Sequence, residues 1–132
     1  MNYGNLNFSR RELVAILNVA YGMADIDGNT DSIESEVIYS QMTSFGITYE
    51  DLLALSEDAI VNMKPDWAMN IIAEMSHLQK QYVQALLVVI MAADGEIHDR
   101  EMALLNAITV RCGLPPINMN DIRSSVKSFR NL

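Results

Sequence analysis

Apolar residues recur three and four positions apart along most of the chain, the spacing that places them on one face of an α-helix. The first such run follows residues 9–12, Ser-Arg-Arg-Glu, which form a capping box. In this motif the serine and glutamate side chains accept hydrogen bonds from amides at the start of a helix. No stretch alternates apolar and polar residues over the length of a strand. The pattern therefore predicts an all-α protein.

Start and stop signals divide the chain into about seven predicted helices. After the first helix, further helices are predicted to start near residues 31, 48, 65, 76, 99 and 120. Gly46 and Gly113 are suited to the left-handed position that follows a helix. The fifth helix, from Ser76 to Ala93, is nearly all apolar, which predicts a central and buried position. The last predicted helix is capped by Asn120 or Asp121 and carries Ile122, Val126 and Phe129.

An internal repeat organises these helices. Residues 13–46 and 82–113 each read as an apolar helix, an acidic loop, a second helix, and a glycine followed by an aliphatic residue. The aspartate and glycine pairs lie 67 residues apart, whereas the glutamates are separated by 65, so the first loop is two residues longer. The corresponding pairs are Asp27 with Asp94, Glu36 with Glu101 and Gly46 with Gly113. Two copies at this spacing predict a pseudo-two-fold domain rather than a solenoid.

Length and charge restrict the possible classes. A chain of 132 residues, half of them hydrophobic, is the size of one domain with its own core. The net charge of −8 argues against nucleic acid and anionic membranes as partners, and a single cysteine excludes a disulfide framework. The longest apolar run, at residues 85–93, is too short to span a bilayer, and a cytoplasmic location is expected.

The acidic excess is concentrated in two predicted loops. The first nearly fits the EF-hand calcium pattern, in which several oxygen ligands come from one tight loop and a glutamate closes the shell. Thr30 replaces the glycine of that pattern and tolerates a sharp turn poorly, so a distorted, oxygen-rich cation site is predicted instead of an ordinary EF-hand. The aligned oxygen donors are Asp25, Asp27, Asn29, Asp31 and Glu36.

The second loop, residues 94–101, is too short for the same template and has two interpretations. In one, Asp99 caps a helix, Glu101 interacts favourably with the helix dipole and Ile97 packs into the core. In the other, Asp94, Glu96 and Glu101 form a second group of oxygen ligands. His98 could join a transition-metal site, although a solvated loop histidine is favoured.

Residues 91–101, Met-Ala-Ala-Asp-Gly-Glu-Ile-His-Asp-Arg-Glu, resemble the M-A-x-A-D-G-x-I-x-x-x-E signature of the TerB-like superfamily. This superfamily includes tellurite-resistance TerB proteins and the TerB-like domain of DjlA-type co-chaperones. Residues 23–28 with Glu36 form a weaker copy. The resemblance covers about residues 10–114 and implies one helical domain over residues 1–132. The insertion and Asp25 in the first loop depart from the family pattern.

The resemblance also implies that acidic residues of the two loops lie together, with a suggested role in metal binding. Asp27, Glu36, Asp94 and Glu101 carry over from the family signature. Calcium or magnesium is expected rather than zinc, because the full candidate set offers oxygen donors. We therefore expect a non-enzymatic, stress-associated adaptor module that responds to a divalent cation. The alternative is a metal-free interaction domain whose acidic face docks a basic protein. No nucleophile–base set indicates catalysis.

Two further residues have structural interpretations. Trp67, in the first turn of the fourth helix, is predicted to be a packing anchor. Cys112 is predicted to be buried and inert, because it lies at a helix C-terminus, where the dipole opposes a thiolate.

Overall fold

The computed structural model describes residues 6–26, 32–93 and 97–116, together with residues 118 and 122. These residues form six α-helices and one π-helical turn, and no strand occurs among them. The all-α prediction is therefore confirmed, and nearly all of the predicted last helix lies outside the described residues. The elements are α1 (Arg10–Asp25), α2 (Ser32–Thr43), α3 (Tyr49–Glu57), the π-helical turn (Asp58–Asn62), α4 (Pro65–Ala73), α5 (His77–Ala92) and α6 (Asp99–Cys112).

Side-chain caps set three of the helix starts where the sequence predicts them. At α1 the Ser9 hydroxyl accepts a hydrogen bond from the Glu12 amide at 3.1 Å, and the Glu12 carboxylate accepts one from the Ser9 amide at 2.8 Å. Ser76 and Gln79 form the same reciprocal pair at α5. Thr48 caps α3 through the amide of Asp51 at 3.1 Å. These bonds satisfy amides that have no partner within the helix.

Glycines in the left-handed conformation follow α2 and α6. Gly46 has a φ of 81° and Gly113 a φ of 66°, values that side chains with a Cβ adopt only with strain. After α6, the amides of Gly113 and Leu114 both donate to the carbonyl of Thr109, which satisfies the last turn of the helix. Both glycines occupy the corresponding end positions of the proposed repeat. That residues 13–46 and 82–113 superimpose remains a prediction.

Helix α1 lies at the centre of the described fold and contacts each of the other five helices and the π-helical turn. Its interior positions are almost all apolar, and Ala15, Ile16, Leu17 and Ala20 are fully buried. The prediction placed α5 at the centre. Helix α5 does bury Leu87 and Ile90, but α1 is the helix that contacts all the others.

None of the helices formed by the described residues combines the length and the apolar character needed to cross a bilayer.

Candidate functional site

The first acidic segment joins α1 to α2, two helices that pack against each other. Asp25 is the last residue of α1, and Glu36 lies in the second turn of α2; both are exposed. The other predicted ligands of this segment, Asp27, Asn29 and Asp31, lie outside the described residues. The structure thus places the first carboxylate of the EF-hand-like pattern at the C-terminus of α1 and the last one in the second turn of α2.

The second acidic segment ends at a buried glutamate. Glu101, in the first turn of α6, is 1% exposed, and its Oε1 accepts a hydrogen bond of 3.3 Å from the amide of His98. His98 precedes α6 as its N-cap residue, and Asp99 is the first helical residue rather than the predicted cap. Asp94 and Glu96 lie outside the described residues. Burial of a carboxylate is costly unless polar groups or a cation compensate it, which makes Glu101 the most informative of the described candidates.

The sequence predicts Asp99 as the cap of α6 and Glu101 as a group that interacts with the helix dipole, whereas in the structure Glu101 accepts the capping hydrogen bond from the amide of His98. The His98 imidazole also lies near this carboxylate, with Nε2 at 3.9 Å from Oε1. Ile97, just before the cap, packs against the hydrophobic core, as predicted. The hydrogen bond and the packing together hold the end of the acidic segment against the body of the domain.

The donor set fits a hard cation in its chemistry. The described candidates, Asp25, Glu36 and Glu101, offer only carboxylate oxygens, the ligands preferred by calcium and magnesium. Within the described parts of the chain, no three Asp, Glu, His or Cys side chains gather closely enough to hold a metal ion. Any complete site would therefore need ligands from residues 27–31 and 94–96, where most of the predicted donors lie.

The lone cysteine is buried as predicted. Cys112 is 1% exposed, and its Sγ lies 3.5 Å from the carbonyl oxygen of Met69 in α4. Burial raises the pKa of the Cys112 thiol, against the smaller opposing effects of Arg111 and Lys80. The thiol form is favoured at neutral pH, so this group is a poor nucleophile.

The prediction for Trp67 is wrong. Its side chain is 52% exposed, and the Lys64 ammonium lies over the ring at 5.4 Å from the centroid. Ala68 and Ile72 supply the buried face of α4 instead, so Trp67 projects from the side that leaves the core. The indole is therefore a surface group held in a cation–π contact rather than a packing anchor.

An exposed aromatic pair was missed in the sequence. The rings of Tyr39 in α2 and Tyr49 in α3 have centroids 5.7 Å apart and an interplanar angle of 71°, an edge-to-face contact. Tyr39 is 42% exposed and Tyr49 is 58% exposed. The composition of residues 32–57, five acidic residues and no Lys or Arg, indicates a charged surface but does not indicate the pair. The spacing of the two tyrosines does not by itself indicate contact, because the turn at Gly46 brings them together.

The fold and the site define an all-helical domain with two acidic interhelical segments, the second of which ends at a buried glutamate. Residues 13–124 match the family described as tellurite resistance protein TerB, and the chain belongs to this family. The resemblance seen in residues 91–101 is thereby confirmed.

A crystal structure of a protein of unknown function from Porphyromonas gingivalis W83 has a similar fold. The two chains are 33% identical and superimpose with a TM-score of 0.76 over 93% of this chain and 98% of the other. No curated protein matches the chain.

Proposed function

We propose that this protein is a non-enzymatic, cytoplasmic adaptor module of a stress response, whose binding state depends on a divalent cation held by the two acidic segments. Membership of the TerB family supports the module. The observation that carries the cation is Glu101, a carboxylate buried to 1% exposure where the second acidic segment enters α6. Burial of a carboxylate is costly without polar or cationic partners, and a bound cation would be one such partner.

The ligands proposed for the cation come from both segments and supply oxygen atoms only. Glu101 would be the fixed ligand, because its cap to His98 and the packing of Ile97 hold it in place. Glu36 and Asp25 border the first segment. Calcium or magnesium suits these donors better than zinc, which is usually bound by nitrogen and sulfur. The complete proposed set is Asp25, Asp27, Asn29, Asp31, Glu36, Asp94, Glu96 and Glu101.

Calorimetric titration tests the cation directly. Chelator-treated protein is titrated with calcium, magnesium, manganese and zinc at constant ionic strength. We expect saturable heat for calcium or magnesium in the natural chain and none after Asp27→Ala combined with Asp94→Ala. The matched control removes two exposed carboxylates of α4 and its end, Asp66→Ala with Glu74→Ala, and is expected to leave the titration unchanged. Heat that both double variants lose equally would indicate nonspecific binding to the acidic surface.

A metal-free interaction domain is the second candidate, and one observation favours it. Residues 32–57, which form α2, α3 and their connection, carry five acidic side chains and no cationic one. A surface of one sign attracts partners of the other sign and speeds their encounter. In this case every metal titration is silent, whereas a basic protein partner still binds.

A further inference from the structure

We propose that an acidic aromatic face formed by α2 and α3 binds an Arg- and Leu-containing amphipathic segment of a partner protein. The inference rests on the proposed role as a binding module and names the chemistry of its partner. The face consists of Glu36, Tyr39, Tyr49, Glu50, Leu53 and Glu57.

The aromatic pair provides the centre of this face. Tyr39 and Tyr49 touch edge to face across the α2–α3 connection, so each supports the orientation of the other. Both rings remain about half exposed, at 42% and 58%. Aromatic pairs of this kind usually bury most of their surface in a core. Two adjacent rings left in solvent offer flat, electron-rich surfaces on which an arginine guanidinium can stack.

Helical spacing places an apolar contact and carboxylates beside the rings. Leu53, four residues after Tyr49, lies one turn along the same side of α3 and is 54% exposed. Glu57 is one further turn along, and Glu36 lies one turn before Tyr39 on α2. All of these carboxylates are exposed. The face thus combines apolar surface with a rim of negative charge, the complement of a basic amphipathic helix.

The negative charge of the face indicates which kind of partner it binds. Residues 32–57 contribute five carboxylates and no Lys or Arg. A metal ion would use the carboxylates but gain little from two tyrosine rings and a leucine. An acidic or neutral partner would leave the carboxylates facing like charge or buried without compensation. An Arg- and Leu-containing segment uses both kinds of group, with aliphatic contacts to Leu53 and guanidinium contacts to the rings and the carboxylates.

The test uses a fluorescent, acetylated 16-residue peptide of arginine and leucine, patterned as an amphipathic helix. Anisotropy is measured with the full chain at physiological salt and with chelator present, which removes any contribution from a cation site. We expect saturable binding that Tyr39→Ala with Tyr49→Ala weakens roughly tenfold, because two ring contacts are lost. Tyr39→Phe with Tyr49→Phe is expected to bind within about twofold of the natural chain, since the stacking surfaces remain.

Matched controls separate the face from general attraction to an acidic protein. Val110→Ala with Leu78→Ala removes two exposed apolar side chains from α6 and α5 and is expected to leave binding unchanged. Glu36→Gln with Glu50→Gln is expected to weaken binding more than Asp66→Asn with Glu74→Gln, although both pairs remove two charges. A peptide with glutamine in place of arginine is expected not to bind.

Several results would overturn the proposal: no binding of the arginine peptide, equal binding by the tyrosine-to-alanine variant, or equal weakening by the two charge variants. If the alanine variant does not fold, NMR of the natural chain replaces it. Added peptide must then shift the ring resonances of Tyr39 and Tyr49 more than those of Tyr21. A protein that binds the peptide but shows no metal titration retains this inference and loses the cation proposal. A protein that binds metal but not the peptide retains the cation proposal and loses only this inference.

Discussion

The side-chain amide of Asn18, in the middle of α1, donates a 2.8 Å hydrogen bond to the backbone carbonyl of Ala59 in the π-helical turn. The same amide group donates at 2.9 Å to the carbonyl of Met63, just beyond that turn. Carbonyl groups near the end of a helix have few amide partners within the helix. Asn18 therefore supplies partners from the central helix and fixes the path by which the chain leaves α3 for α4.

Replacement of Asn18 by leucine keeps the side-chain volume and removes both hydrogen bonds. We expect the free energy of unfolding to fall by about 1–3 kcal/mol, because two partly buried carbonyls lose a partner. Urea unfolding followed by circular dichroism measures the change. Asn106→Leu, at an exposed position of α6, is the control and should alter stability by less than about 0.5 kcal/mol. Equal effects at the two sites would show that the bonds to Ala59 and Met63 contribute nothing.

An ion pair links the start of α1 to the π-helical turn and predicts an acid-dependent contribution to stability. The Arg10 guanidinium lies 2.5 Å from the Asp58 carboxylate, and its hydrogen bond holds the Asp58 pKa below the usual 3.8, with a further hydrogen bond from Asn62. The folded-state pKa is lowered, so this contribution is fully present above pH 3.8 and is lost as the pH falls through the lower folded value.

The Asp58 carboxyl can be titrated by NMR in the natural chain and in Arg10→Gln. We expect its pKa to rise in the variant, because the largest cause of the lowering is removed. The difference in unfolding free energy between the natural chain and Asp58→Asn should be constant near neutral pH and shrink below about pH 4. An unchanged titration of Asp58 in Arg10→Gln would contradict the ion pair.

Three glycines are predicted to respond with opposite signs to substitution by alanine. Gly46→Ala and Gly113→Ala should each lower the free energy of unfolding by about 1–2 kcal/mol, because a Cβ strains the left-handed backbone there. Gly22→Ala should raise it by about 0.5–1 kcal/mol, since Gly22 lies inside α1 and open space surrounds the position of its Cβ. Thermal or urea unfolding of the three variants gives the signs directly. Stabilisation by Gly113→Ala would contradict the described end of α6.

The buried thiol of Cys112 is predicted to react only when the structure opens. Reaction with Ellman's reagent at pH 8 should be at least about a hundredfold slower in the folded chain than in urea, since local opening by roughly 3 kcal/mol controls access. Burial also raises the thiol pKa and reduces the thiolate fraction. Similar rates in both conditions would place Cys112 at the surface.

Local signals in the sequence predict much of the helical framework. The capping sequences at Ser9, Thr48 and Ser76 and the glycines at 46 and 113 mark boundaries through bonds and dihedral angles within a few residues, so they can be recognised without the fold. The π-helical turn has no such local signal. Its sequence continues the helical pattern, and its stabilising donor, Asn18, is about 40 residues away.

Positions set by packing between helices could not be predicted in the same way. Helices α1 and α5 are both strongly apolar, and only their arrangement decides which of them contacts all others. Trp67 was misplaced because the orientation of α4 on α1, rather than its own spacing, decides which side is buried. The same holds for the candidate site: the carboxylates can be read from the sequence, whereas the burial of Glu101 and the contact of Tyr39 with Tyr49 depend on the fold.

A divalent cation is proposed to relieve repulsion among the acidic segments. Nine carboxylates fall within residues 25–36 and 94–101, and like charges about 4 Å apart cost about 1 kcal/mol even in water. A cation that binds only the folded state at a hundredfold excess over its Kd adds about 2.7 kcal/mol, a rise in melting temperature of roughly 10 °C for a chain of this size.

The most direct test compares melting curves in chelator, in millimolar calcium, and in monovalent salt of the same ionic strength. The salt arm is essential because screening alone also relieves repulsion. We expect a clearly higher melting temperature in calcium than in matched salt, and loss of that difference in Asp27→Ala with Asp94→Ala. Equal melting temperatures in calcium and in matched monovalent salt would contradict a specific cation site.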